Sequence, residues 1–216
     1  MPRNVGAYIC YDVSVSSYSS TTLRRIPQQK RGQRRVAGFL RAAASVITEK
    51  GYERATMSAI AGRAHSCIGS LYQFFPNKRS VAEALRAQYI KEIEHSWTAL
   101  GRQAATLSAE HLACRLVSLQ IEIAKSHPAL LALLDIPPTS HTRAGRELIR
   151  ARIAGVLMAH TPRMSRTAAL RIASVVQQVS KGLLTLYAQT CADEKIAIIE
   201  EFKSVVTGYL VPKLTS

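Results

Sequence analysis

The sequence predicts an all-α fold of about nine helices. Beyond the first thirty or so residues, apolar side chains recur at steps of three and four rather than two, which is the period of an amphipathic helix. Proline and glycine fall mainly between such segments instead of inside them. With 47% hydrophobic residues in 216, the chain has enough apolar surface for a buried core.

The first group of helices is short and closely spaced. A helix that ends at Gly51 precedes two brief segments, and Pro76 and Asn77 then separate these from a long helix. Only two or three residues join the two brief segments, which predicts a tight turn between them. The four segments span about 33–50, 57–64, 67–75 and 78–100.

Five more helices are predicted in the second half. Ser108 is placed to cap one of them, Pro128 to open a short one, and Pro162 to stop the basic helix that follows. The last two helices are the most regular and have apolar residues on more than one face, which favours an antiparallel pair or a subunit interface. The five segments span about 108–127, 128–136, 142–160, 166–189 and 195–210.

Charge and composition limit the kind of protein. Lys and Arg number 29 against 14 Asp and Glu, a net charge of +15, and such an excess favours nucleic acid, an anionic membrane surface or an acidic protein as partner. No apolar run reaches the roughly 18 residues that a bilayer crossing needs, and no secretory signal is evident. The four cysteines stand far apart, so we expect reduced thiols in a soluble cytoplasmic protein, with no membrane association.

Part of the charge lies in the first 35 residues, which hold seven Lys and Arg and one Asp. Residues 1–32 are predicted to form a basic disordered arm, because a Ser-rich stretch inside them has no helical or strand period. Residues 1–25 are alternatively an extension from an upstream start codon. A second basic stretch around Arg143–Arg152 is interpreted as a solvated helix face rather than a second DNA site.

The segment 55–78 carries the most specific pattern. Its two short helices and tight turn have the geometry of a DNA-binding helix-turn-helix motif. The hydroxyl of Thr56 is placed to cap the first helix, while Ile60 is placed to pack inward against Leu71. The start of the second helix is small and neutral, so it can approach base edges closely.

This segment closely resembles the DNA-binding domain of TetR-type repressors. The resemblance rests on Gly51-Tyr52, Thr56, Ile60-Ala61 and the run Ile68-Gly69-Ser70-Leu71-Tyr72-Gln73-Phe74-Phe75-Pro76-Asn77-Lys78. It implies a DNA-binding domain over 33–94 and a helical ligand-binding and dimerisation domain over 95–216. It also implies a sequence-specific transcriptional regulator, a repressor that a small-molecule inducer releases from a palindromic operator, associated with the nucleoid.

The resemblance assigns roles to individual residues. Thr56 would contact phosphate as well as cap its helix, Ser58 and Arg63 would lie on the helix that crosses the DNA backbone, and Tyr72 and Lys78 would contact phosphates. The second helix would enter the major groove. Its expected contacts are Ser66, Cys67, Ile68, Gly69, Ser70 and Gln73, and arm contacts are expected from Arg31, Arg34 and Arg35.

The turn departs from the family pattern, which has Gly-Val-Ser where this chain has His65, Ser66 and Cys67. The glycine normally adopts a positive φ, which His65 would have to adopt at a cost of about 1 kcal/mol. Cys67 is a poor helix cap, and Ser66 is the alternative one residue earlier. A thiol at a helix N-terminus is either a neutral replacement or an oxidation-sensitive group, and both interpretations stay open.

In the second half, the resemblance implies a pocket for an unknown small-molecule effector and a homodimer built by the last two helices. The candidate pocket residues are Trp97, Leu116, Ile123, Leu134, Met158, Gln178 and Tyr187. No catalytic motif, metal-ligand spacing or cofactor motif is found, so we expect no enzyme, cofactor or metal. Two other classes stay open. One is an architectural protein that binds DNA without sequence preference, and the other is a small-molecule-binding protein whose DNA-binding domain is impaired.

Overall fold

The computed structural model describes residues 29–134, 136 and 139–215, and this part of the chain is built from nine α-helices without a strand. The all-α prediction and the helix number are confirmed. The helices are α1 Lys30–Arg54, α2 Met57–Arg63, α3 Ile68–Phe74, α4 Lys78–Gln103, α5 Ala109–Ser126, α6 Pro128–Leu133, α7 Ser140–His160, α8 Arg166–Gln189 and α9 Lys195–Leu214.

Helix α1 differs from its prediction at its start. It begins at Lys30 rather than near Gln33, so Arg31, which is predicted to lie in the arm, is helical. The rest of the predicted arm lies outside the described residues. At the other end, Gly51 has φ 75° and ψ 164°, which interrupts the helix where the sequence predicts its stop. One further turn follows before Ala55.

Side-chain caps fix where the helices begin. Thr56 accepts the backbone N–H of Ala59 at the start of α2, and Ser108 accepts that of His111 at the start of α5, as predicted. Asn77 and Ser80 form a reciprocal capping box at the start of α4. These caps set the lengths of the loops and therefore the angle at which successive helices cross.

One continuous core joins the helices. We refer to residues 30–94 as the head and to 95–214 as the body. Phe39, Ile60 and Leu71 are fully buried in the head, and Trp97 and Leu116 are fully buried in the body. The long helix α4, which runs through both regions, and the contact of α1 with α6 link the head to the body.

The body is a packed set of long helices. Helix α4 packs against α7, α7 against α8, and α5 against α9. Gly145 of α7 lies against Ile90 of α4, where an added Cβ would stand 2.2 Å from the Ile90 Cδ1 atom, so a larger residue would require the Ile90 side chain to move. Helix α9 continues through Pro212 to Leu214, past its predicted end at 210. None of the described helices is long and apolar enough to cross a membrane.

Candidate DNA-binding surface and effector domain

The first short helix, α2, places the predicted backbone contacts at the surface. Ser58 and Arg63 are exposed, as is Thr56 at the N-cap. Arg63 is paired with Glu49 of α1, with Nη1–Oε1 2.6 Å and Nη2–Oε2 2.7 Å, and its Nη1 also donates to the hydroxyl of Ser45. A phosphate contact from Arg63 would therefore compete with this ion pair.

The turn between α2 and α3 has the backbone that the sequence predicts. His65 has φ 49°, the left-handed conformation expected at this position, which a histidine tolerates at a cost of about 1 kcal/mol. Cys67 is the N-cap of α3 and makes no side-chain cap bond. The prediction that Ser66 caps α3 instead is wrong, because its hydroxyl donates to the carbonyl oxygen of Ala64 at 3.2 Å.

The second short helix, α3, buries one face and exposes the other. Leu71 and Phe74 pack inward, while the opposite face is open to solvent. Its exposed residues are Cys67, Ile68, Gly69, Tyr72 and Gln73. Two exposed side chains on this face are large and apolar or aromatic, Ile68 and Tyr72, each 41% exposed.

Ser70 does not belong to this exposed face. It is only 8% exposed, and its hydroxyl accepts a hydrogen bond from Nη1 of Arg35 at 3.3 Å. Its position on α3 faces α1, and the contact with bases expected of Ser70 stays a prediction. Arg35 itself reaches the recognition helix from the first turns of α1, and Arg31, one turn earlier on the same face of α1, is exposed.

Lys78, the first residue of α4, is held inside the head. Its Nζ donates to the carbonyl oxygens of Tyr52 and Glu53, both at 2.9 Å, and lies 4.4 Å from the centroid of the Tyr52 ring. The phosphate contact expected of Lys78 competes with all of these interactions. Burial raises the pKa of the Tyr52 hydroxyl, and the nearby carboxylate of Glu53 adds to that shift.

Most of the predicted pocket residues lie in the core of the body. Trp97, Leu116, Ile123 and Tyr187 are buried, and Leu134 and Met158 are partly buried against the same core. Gln178 is exposed in the single chain, and its place in a pocket wall stays a prediction. The indole Nε1 of Trp97 is buried, and among the described residues no acceptor lies within hydrogen-bond distance of it.

A cavity of about 200 Å³ opens between α4, α5 and the start of α6. Only Ile123 of the predicted pocket residues lines it. The lining residues are Glu92, Ile93, Ser96, Leu119, Glu122, Ile123, Ser126 and His127.

His127 is the titratable group at the junction of α5 and α6. Its ring lies 4.6 Å from that of Tyr89, and its Nδ1 is 3.6 Å from Oε2 of Glu92 on α4. Burial lowers the pKa of His127, and the Glu92 carboxylate opposes that shift. Within the described residues, no group of three His, Cys, Asp or Glu side chains is arranged to hold a metal ion.

Comparison with known proteins decides the family. A model of bacterial regulatory proteins of the tetR family matches residues 39–85, and a model of the tetracyclin repressor-like C-terminal domain matches residues 108–210. The chain belongs to the TetR family. As a TetR family member it is a sequence-specific DNA-binding transcriptional regulator with a ligand-binding C-terminal domain, and it is not an enzyme. No curated protein sequence matches the chain.

Solved TetR-type structures share this fold at low sequence identity. A TetR-family regulator from Streptomyces coelicolor is 22% identical, with a TM-score of 0.62, over 81% of this chain and 96% of that one. The regulator FadR from Bacillus subtilis, solved in complex with stearoyl-CoA, is 15% identical, with a TM-score of 0.60, over 81% and 97%. A regulator from Aquifex aeolicus is 16% identical, with a TM-score of 0.57, over 82% and 99%.

Two contacts in the head of this TetR protein are not predicted by the sequence. The hydrogen bond from Arg35 to Ser70 and the ion pair of Glu49 with Arg63 join residues that stand far apart in the chain. No local sequence pattern marks any of the four residues as a partner of another. The motif places Lys78 correctly at the start of α4 but does not reveal that its ammonium is bound by α1.

Proposed function

We propose that this TetR regulator is a repressor that binds a palindromic operator as a homodimer and is released by a small-molecule inducer. The observation that carries the proposal is the division of α3 into a buried face and an exposed face, which is what a recognition helix needs. The exposed residues at its amino-terminal end are uncharged, and Cys67 and Gly69 among them are small, so the helix can approach base edges closely. We assign the DNA-binding domain to 33–94, preceded by a basic arm over 1–32, and the effector and dimerisation domain to 95–216.

Direct base readout is assigned to the exposed residues of α3. Ile68 and Gly69 offer apolar contact to a thymine methyl, and the Gln73 amide is able to pair with an adenine edge. Tyr72, Thr56 and Ser58 contribute hydroxyls to phosphate, which positions the head without reading sequence. Cys67 lies beside them at the start of α3.

Arginines at the start of α1 extend this surface. Arg31 and Arg34 are exposed on the first turns of the helix, and the hydrogen bond of Arg35 to Ser70 brings that end of α1 beside the recognition helix. Positive charge there favours contact with phosphates that flank the bases read by α3. The arm before Lys30 would continue along the same duplex.

Dimerisation is assigned to α8 and α9. Helix α9 buries Val206, Leu210 and Leu214 within its own chain but leaves Ile196 72% and Val205 56% exposed. On α8, Val175 and Leu186 are each 39% exposed. Apolar side chains left uncovered on two neighbouring helices are what a homodimer interface would bury.

The effector is assigned to the body near α4, α5 and α6. A ligand bound there would act on α4 directly and on α1 through α6. A ligand shifts operator binding only by its difference in affinity for the two head arrangements. The complex of Bacillus subtilis FadR with stearoyl-CoA makes acyl thioesters one class to screen.

Genome-wide footprinting with the purified full-length protein tests the proposal. A repressor of this kind protects a palindromic site upstream of its own or a neighbouring gene, with an affinity at least about 10³-fold above that for unrelated DNA. An architectural protein would show steep salt dependence without such a ratio. Failure to bind any duplex at low salt would identify an impaired DNA-binding domain. Either of these two results contradicts the proposal.

A further inference from the structure

Arg86 of α4 is a buried cation with little to balance its charge. It is only 8% exposed. Within the part of the chain that the structure describes, its guanidinium makes one hydrogen bond, from Nη2 to the carbonyl oxygen of Ile136 at 3.4 Å, and no ion pair. A guanidinium has five N–H donors and is always charged in a protein. Buried charges are normally paired, so most of the binding capacity of Arg86 is left for another partner.

The charges around Arg86 add to its own instead of balancing it. Gly145 of α7 lies against Ile90, one turn beyond Arg86 on α4, which brings the neighbouring Arg146 to the same crossing. Arg79 lies two turns before Arg86 on the same face of α4. Burial lowers the pKa of the Arg86 guanidinium, and the charges of Arg146 and Arg79 lower it further. Three guanidinium groups therefore lie close together where α4 and α7 cross.

A nearby carboxylate does not neutralise this arginine cluster. The charge of Glu83 opposes the lowering of the Arg86 pKa, but its Oε1 is already 3.5 Å from Nε of Arg79. Three positive charges thus stand against one negative charge. A planar guanidinium matches the paired oxygen atoms of a carboxylate or a phosphate and donates two parallel hydrogen bonds to them. The partner that Arg86 lacks therefore has the chemistry of an oxyanion.

We propose that Arg86 anchors a binding site for an oxyanion, and that the inducer carries this group as a carboxylate or a phosphate. The inference deepens the proposed release by an inducer and rests on it. Arg79 and Arg146 are exposed, so an anion that approaches from solvent meets positive charge before it reaches Arg86. Helix α4 directly follows the recognition helix α3 in the chain, so an anion that shifts α4 acts on the DNA-binding surface.

The test compares the thermal stability of Arg86→Met with that of Arg102→Met in the full-length chain. Arg102 is exposed on the same helix, so the control removes the same charge away from the arginine cluster. Differential scanning calorimetry measures Tm of the wild type and both variants in sodium chloride, and in sodium pyrophosphate and sodium hexanoate at the same ionic strength. Anions that bind to the DNA-binding surface raise Tm of all three proteins equally. Arg86→Lys, which keeps the charge but not the planar fork, replaces Arg86→Met if that variant does not fold.

We expect pyrophosphate, hexanoate or both to raise Tm of the wild type and of Arg102→Met by about 2–4 °C more than that of Arg86→Met, because a ligand stabilises only the protein that binds it. The anion with the larger difference tells whether the site takes a phosphate or a carboxylate. Equal shifts in all three proteins, or no shift of the wild type with either anion, would overturn the inference. The melts need no operator DNA. A wild-type protein that shows this shift but prefers no operator therefore contradicts the proposed function and leaves the anion site in place.

Discussion

Glu49 of α1 and Arg63 of α2 join the first two helices of the head by a two-point ion pair, with N–O distances of 2.6 and 2.7 Å. Both side chains are largely exposed, so solvent screens the pair and its share of the stability is small. Its geometry nevertheless fixes how α2 lies on α1. The Arg63 guanidinium also lowers the pKa of the Glu49 carboxyl from 4.5 to about 2.

That shift predicts a pH dependence of stability. Because the folded-state pKa of Glu49 is depressed, its contribution to folding is complete above about pH 5 and is lost as the pH falls from 4.5 towards 2. Glu49→Gln should therefore have a lower Tm than the wild type at pH 7. This difference in Tm should shrink as the pH falls from 4.5 to 2. Circular dichroism melts of both proteins across this range measure the difference. A difference in Tm that is the same at every pH would contradict the assignment.

The open space around Gly69 predicts a change in sequence preference without loss of stability. An added Cβ at Gly69 meets no atom within 4 Å, and the residue lies on the exposed face of α3. Gly69→Ala should therefore raise stability by up to about 1 kcal/mol, since alanine favours a helix. The added methyl should alter the ranking of operator variants, measured by selection from a randomised duplex library. An unchanged ranking would remove Gly69 from the base-reading set.

The exposed start of α1 predicts a salt-dependent contribution from Arg34. If this guanidinium contacts one phosphate, Arg34→Gln reduces the slope of log K against log salt by about 0.9 and weakens operator and unrelated DNA equally. Tm should stay unchanged, because the side chain is exposed. Lys91→Met, at an exposed position of α4, is the control for the loss of one positive charge. A slope equal to that of the control would place Arg34 outside the DNA interface.

The uncovered apolar side chains of α9 predict the oligomeric state. Val205 is 56% exposed in a single chain, so Val205→Arg should leave the fold intact and convert the dimer to a monomer with much weaker operator binding. Light scattering coupled to gel filtration measures the mass. Glu110→Arg, at an exposed position of α5, is the matched control and should remain dimeric. A dimeric Val205→Arg protein would move the interface elsewhere.

Local sequence signals predicted most of the fold. The period of apolar residues placed all nine helices, and the signals of Thr56, Ser108 and Pro128 at helix starts and Gly51 at a helix end are each found at the predicted place. These signals work because a cap or a break depends on a few neighbouring residues. The positive φ of His65 followed in the same way from its place in the turn.

The sequence does not predict the surroundings of side chains whose position depends on another helix. Ser70 was expected among the bases, yet its place on α3 turns it towards Arg35. Gln178 was expected in a pocket, but the part of α8 that carries it faces solvent in the single chain. Neither the rotation of a helix about its axis nor the choice of partner is determined by a short motif, so these positions required the packed structure.

The burial of Trp97 has a practical use. It is the chain's one tryptophan, 1% exposed, on the helix that runs from the head into the body. The emission wavelength of an indole depends on the polarity around it. Excitation at wavelengths that tyrosine does not absorb therefore reports on a single site in the body of the unlabelled protein. Candidate inducers can therefore be screened by their effect on that emission, before any operator sequence is known.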